Sequence, residues 1–153
     1  MDDAPWHEAI SIPALLRHAR GTYGGALRAA LDAAGYDDIP GNGLYVIGGL
    51  ALEDRDIPLR DLVGQLGMTK QGAGQLVDTL VMRGYLSRTV DESDRRQLIV
   101  ALTERGRAAA DVQRAARERI DAQLVERIGA ADVAATKRTL AALIEMQAPD
   151  DAE

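Results

Sequence analysis

No cysteine occurs in the chain, which excludes disulfides, zinc-thiolate sites and thiol redox sensing. Histidine is nearly as scarce. His7 and His18 are the only two, both near the N-terminus with no carboxylate cluster at ligand spacing, which argues against a metal centre or a histidine-dependent triad. No glycine-rich loop is followed by Lys-Ser or Lys-Thr, so a phosphate-cradling nucleotide site is missing too. With those groups absent no catalytic set can be assembled and no cofactor is implied, so the chain is expected not to be an enzyme. Phenylalanine is absent and tryptophan occurs once, so the core must be aliphatic, a composition suited to packed helices. No apolar run approaches the roughly 18 residues of a membrane span. The acidic start Met1–Glu8 lacks the basic and apolar regions of a signal peptide. A cytoplasmic location and no membrane partner are expected.

What is present is ample material for one globular domain, 1–153, with 46% apolar and 27% charged residues. The net charge of -6 looks wrong for a nucleic-acid binder, but it is unevenly spread. Residues 57–107 carry eight Lys/Arg against six acids, whereas the segments on both sides are acidic. Phosphate attraction follows local clusters of cations, so an acidic chain can still present a basic face.

Apolar residues at spacings of three and four from Ile10 to Ala34 predict an amphipathic helix, with Pro13 in its first turn. A turn-rich stretch follows, then a short helix Leu44–Leu52 despite Gly48 and Gly49. Pro58 precedes a helix Leu59–Leu66, Gly67 supplies a turn, and Thr69 is placed to cap a helix Lys70–Arg83. Two short helices around one glycine turn form a helix-turn-helix. Tyr85–Val90 and Gln97–Leu102 read as strands around the charged loop Asp91–Arg96, a hairpin that makes the motif a winged one. Thr103 then caps a helix to about Ile128, whose stripe Ala109, Val112, Ala116, Ile120 is too regular for one small domain to bury alone. A last helix carries Val133, Leu140, Leu143 and Ile144, before an acidic tail. The fold class expected is mostly α with a small β-hairpin wing. The winged helix-turn-helix occupies about 55–103, and dimerisation helices about 10–35 and 104–147.

The helix from Lys70 buries Ala73, Leu76, Val77, Leu80 and Val81, leaving Thr69, Lys70, Gln71, Gly74, Gln75 and Asp78 outward. A major groove admits a helix, and Gln and Lys hydrogen-bond base edges there. Arg95 and Arg96 at a hairpin tip suit a minor groove, Arg88 can reach phosphate, and Asp94 is placed to hold the Arg96 guanidinium by a charge-assisted bond.

Leu62–Gln71, Leu76–Leu80, Arg83–Leu86, Asp94-Arg95-Arg96 and Leu102–Gly106, all in register, resemble the multiple-antibiotic-resistance regulator (MarR) family. The resemblance implies a homodimer joined by the N-terminal helix and the last two helices. It further implies double-stranded DNA as partner at a pseudo-palindromic operator, usually repression, and often release by a small aromatic or amphipathic ligand. In that family the wing Asp-x-Arg sets an arginine in the minor groove, here Asp94 and Arg96. The DNA-binding set is then Thr69, Lys70, Gln71, Gly74, Gln75, Arg88, Asp94, Arg95 and Arg96. For an aromatic effector, Tyr23, Tyr45 and Trp6 are the candidates. Where the family has a polar residue followed by Arg, this helix has Gly74 and Gln75. Gly72 adds a second glycine, and each costs about 1 kcal/mol relative to Ala in a helix. Those glycines and the acidic flanks favour the alternative, a winged-helix protein-interaction module that does not read DNA.

Overall fold

The computed structural model describes residues 5–53 and 56–146, in two compact units, the first ending at Arg117 and the second beginning at Glu118. Among the described residues no helix is long and apolar enough to cross a membrane. The acidic C-terminal tail lies outside them.

The first unit opens with a 3-10 turn at Trp6–Ala9, followed by α1 (Ile12–Ala33). Ile10, expected inside the helix, is extended, because its N–H closes the preceding turn on His7; α1 starts with Pro13 in its first turn. Leu27 and Leu31 are the residues α1 buries. Helix α2 (Gly43–Glu53) forms despite its glycines, and the packing gives a reason. A Cβ on Gly48 would lie 3.0 Å from Gln113 Oε1, and the buried Gln113 donates from Nε2 to the Leu44 carbonyl at 3.1 Å. The glycine thus lets the next long helix dock against α2 with its polar group satisfied.

A strand not anticipated from sequence, β1 (Ile57–Pro58), leads into α3 (Leu59–Leu66). Then come α4 (Lys70–Met82), β2 (Leu86–Val90) and β3 (Leu98–Leu102), the sheet running β1-β3-β2 with antiparallel pairs. Gly67 (φ 60) and Gly84 (φ 80) hold the left-handed conformations that stop α3 and α4. Tyr85, expected in the strand, instead returns its N–H to the Leu80 carbonyl at 2.9 Å, as the residue after a glycine helix stop does. The expected start of the second strand, Gln97, belongs to the wing turn, its N–H bound to the Asp94 carbonyl at 2.9 Å. Helix α5 (Glu104–Ile128) is capped by Thr103, whose Oγ1 accepts the Gly106 N–H at 3.0 Å.

One aliphatic core joins Leu27, Leu31, Val46, Ile47, Ile57, Leu62, Val77, Leu80, Tyr85 and Val100. Ala109 and Ala116 are buried in it and Val112 packs against it, so this part of the α5 stripe, expected to need a second subunit, is covered within the chain. The second unit contains the last turns of α5 and α6 (Ala130–Glu145), which begins after Gly129. Its helix α6 buries no residue, and Val125, Ile128, Leu143 and Ile144 are exposed.

A polar clasp, silent in the sequence, fixes the end of α4. The fully buried Tyr85 donates its hydroxyl to Asp38 Oδ1 in the α1–α2 loop. Arg105, in the first turn of α5, donates to Tyr85 Oη at 3.0 Å and Asp38 Oδ1 at 3.3 Å and lies 4.6 Å from the Tyr85 ring centroid. Arg83 donates to the Asp38 carbonyl. The Tyr85 hydrogen bond, with the Arg105 charge, holds the Asp38 carboxyl below 3.8. Burial, and then the bond to Asp38, push the Tyr85 phenol up to about 12. A raised pKa contributes stability that is complete below the unfolded value near 10. The wild-type unfolding midpoint is therefore expected to fall from pH 10 to about 12, more steeply than in Tyr85→Phe. The variant should also be about 1.5 kcal/mol less stable at neutral pH, having lost a bond to a charged acceptor. Parallel alkaline curves for the two proteins would rule this role out.

Candidate nucleic-acid interface

The face that the sequence assigned to recognition is built by the docking of α4. Ala73, Leu76, Val77 and Leu80 are buried, and Val81 is partly so, which turns Thr69, Lys70, Gln71, Gln75 and Asp78 to solvent. Thr69 caps the helix as its sequence position suggested, its Oγ1 accepting the Gly72 N–H at 3.1 Å. Despite two glycines, α4 runs unbroken from Lys70 to Met82.

The two glycines differ. A Cβ on Gly72 would stand 3.1 Å from Thr69 Oγ1, so this glycine makes room for the cap. Nothing lies within 4 Å of a Cβ on Gly74. Gly74→Ala is therefore expected to stabilise the fold by about 0.5 to 1 kcal/mol, the helix-propensity difference. Urea unfolding measures it, and a loss of stability would show that the site does not accept a methyl group.

The wing turn is held by its own acids. The Asp91 N–H bonds the Gln97 carbonyl at 2.9 Å, and Asp91 Oδ1 accepts from the Ser93 hydroxyl at 2.7 Å and amide at 2.8 Å. Those Ser93 bonds lower the Asp91 pKa below 3.8. Asp94 Oδ1 accepts the Arg96 backbone N–H at 3.1 Å. This corrects the expectation that Asp94 grips the Arg96 guanidinium: the carboxylate orders the turn from which Arg96 projects, and it acts on the backbone. Arg95 and Arg96 are both exposed at the tip. Arg88, expected to be available for phosphate, is in an ion pair with Asp78 of α4.

Between α3, α4 and the wing lies a recess of about 640 Å³. Lys70, Gly74, Asp94 and Arg96 line it, so four of the nine candidate DNA contacts converge on one concavity. Arg60 of α3 lines it as well, a cation the sequence reading passed over. Its position just after a predicted helix start was the available signal, since the first helix of such a motif crosses the backbone. Leu59, Val63 and Leu98 supply an apolar floor.

The aromatic candidates for effector binding do not gather in the same way. Trp6 is 74% exposed and meets His7 edge-on at 5.8 Å between centroids. Tyr45 is covered by Arg20, whose guanidinium carbon lies 4.4 Å from the ring centroid and whose Nε donates to the hydroxyl at 3.3 Å. Tyr23 is half-buried on α1. A second recess of about 270 Å³ lies beside α2 and α5, with Leu50, Asp56, Arg107 and Asp111 in its wall. Tyr23, Tyr45 and Trp6 line neither this recess nor the larger one.

A helix-turn-helix with a hairpin beside its second helix, and three cations around the concavity between them, defines a winged-helix protein. Residues 38–97 match the model of the MarR family. The structure is similar to that of S. aureus MepR in its DNA-binding conformation, with a TM-score of 0.74, 18% identity, and 90% of this chain and 98% of that one covered. It is similar to a mutant of E. coli MarR complexed with operator DNA, at a TM-score of 0.71 and 20% identity over 90% of this chain and 96% of that one. The wild-type apo form of E. coli MarR gives a TM-score of 0.66 at 20% identity, covering 88% of this chain and 96% of that one. At these identities the likeness establishes the fold. No curated protein sequence matches the chain.

Proposed function

We propose that the protein is a cytoplasmic, homodimeric DNA-binding transcriptional regulator that represses from a pseudo-palindromic operator. The observation that carries this reading is the convergence of Lys70, Gly74, Arg96 and Arg60 on the recess between α4 and the wing. A cationic concavity beside an outward polar helix face suits a duplex, with the helix in the major groove and the wing arginines over the flanking minor groove. Thr69, Gln71, Gln75, Arg88 and Arg95 complete the proposed contact set, with Asp94 ordering the turn. The operator complex and the DNA-binding conformation among the structural relatives agree with it.

Dimerisation is supported by apolar residues left exposed near the chain's ends. In the first unit these are Ile10, Ile12 and Leu16, and in the second Val125, Ile128, Leu143 and Ile144. A small aromatic anion is the proposed releasing ligand, with Tyr45 and Arg20 offering a ring and a cation together and Tyr23 and Trp6 as further candidates.

Selection of bound fragments from the source genome, followed by footprinting, tests the reading. Two inverted half-sites centred about 10 to 10.5 base pairs apart are expected of a symmetric dimer, together with sedimentation as a dimer. The competing reading is a protein-interaction module, favoured by the ion pair that neutralises part of the α4 face. Affinity for DNA that does not respond to salt would support that module and overturn the regulator.

A further inference from the structure

We propose that Asp78 is a positioning residue for Arg88, presetting the guanidinium to receive a DNA phosphate beside the recognition helix. The inference rests on the DNA-binding reading above. Lys70, Gly74 and Asp78 are spaced by four residues and so lie along one line of α4. Asp78 therefore places a carboxylate on the outward face, where alone it would repel the phosphate backbone. It is not alone, because its Oδ1 is paired with Nη1 of Arg88 on β2. Ten residues separate the two, a span that contains the helix stop at Gly84 and the start of the strand. The pair thus bridges two elements at the edge of the proposed interface.

Side-chain exposures of 54% for Asp78 and 37% for Arg88 put this bridge in contact with water. An exposed pair of that kind adds little to stability. What it does is limit where the guanidinium goes. Arginine presents five N–H donors in a rigid fork, and the contact with Asp78 uses Nη1, leaving the donors on Nη2 and Nε to face a phosphate. A flexible side chain ordered before the duplex arrives loses less freedom on binding. The carboxylate lowers the net charge of the face and yet favours the complex, because order at short range outweighs a charge that salt screens.

Wild type, Asp78→Asn, Arg88→Ala and the double variant, titrated with mixed-sequence duplex DNA over a salt series, test this without knowledge of the operator. Arg88→Ala should flatten the log-log salt dependence by about 0.9 for each phosphate released. Asp78→Asn should keep the wild-type slope while weakening binding roughly 3- to 10-fold, the scale of one lost positioning bond. In the double variant the Asp78 effect should vanish, since there is no guanidinium left to position. Tighter binding by Asp78→Asn with a steeper slope would overturn the proposal, because Asp78 would then sequester Arg88. An unchanged slope in Arg88→Ala, or losses in both single variants that follow a fall in thermal midpoint, would also overturn it. Failure of the wild type to bind DNA at any salt concentration is a separate result, and it would remove the DNA-binding reading itself.

Discussion

Gly106→Ala is expected to destabilise the protein by about 3 kcal/mol or more, the upper range for forcing extra volume into a packed site. An added Cβ would stand 2.1 Å from the Tyr85 carbonyl oxygen and 3.0 Å from Leu102 Cδ2. The first contact is with backbone, so no rotamer change relieves it. Nor is that carbonyl free to move, since the Thr103 N–H and Thr103 Oγ1 both bond it at 3.1 Å. The same Oγ1 caps α5 through the Gly106 N–H and lies 2.5 Å from the Gly84 carbonyl. Retreat of α5 would therefore disturb the cap, the glycine stop of α4 and the Arg105 side of the clasp together. Gly74→Ala is the matched control, the same chemical change in open space and with the opposite sign expected. Urea unfolding of both variants distinguishes them. An unchanged midpoint for Gly106→Ala would mean that the approach of α5 to Tyr85 is looser than the geometry shows.

Local features were legible in the sequence because their signals are local. Thr69 before a helix and the α4 stripe Ala73, Leu76, Val77, Leu80 each follow from spacing within a few residues. The strand Ile57–Pro58 was not legible. It is two residues long, and proline, lacking an N–H, is confined to an edge such as this one. The clasp escaped for another reason: Asp38 lies 47 residues from Tyr85 and 67 from Arg105, and no periodicity connects them. Asp94 is an instructive miss. A carboxylate two residues before an arginine has both a backbone amide and a guanidinium in reach, and the turn geometry selected the amide. For α5, small size misled: alanines at regular spacing suggested a seam between subunits, yet Ala109 and Ala116 are small enough for α5 to pack into the chain's own core.

At the wing, the largest effect on DNA affinity is expected from Arg96→Ala, a loss of about 1 to 3 kcal/mol per site for a charge-assisted groove contact. Arg96 lines the recess with Lys70 and is exposed, so its removal deletes a cation without opening the core. Asp94→Ala makes the sharper test, because two physical arguments give it opposite signs. Deleting a carboxylate beside the phosphate backbone should tighten binding by simple electrostatics. The structure argues the reverse, since Asp94 Oδ1 holds the Arg96 amide at 3.1 Å and the Asp94 carbonyl accepts the Gln97 N–H at 2.9 Å. With the carboxylate gone, the turn keeps its backbone bond but loses the one that fixes the amide of Arg96. The arginine must then be ordered at the expense of binding. Asp94→Asn, which retains a side-chain oxygen acceptor for that amide while removing the charge, should recover much of the loss. Gln75→Ala should instead alter which sequences are preferred, since base contacts specify while backbone contacts position. Titrations of the selected genomic duplex at one fixed salt concentration decide the matter. Tighter binding by Asp94→Ala, or no loss in Arg96→Ala, would show that the hairpin stands clear of the DNA.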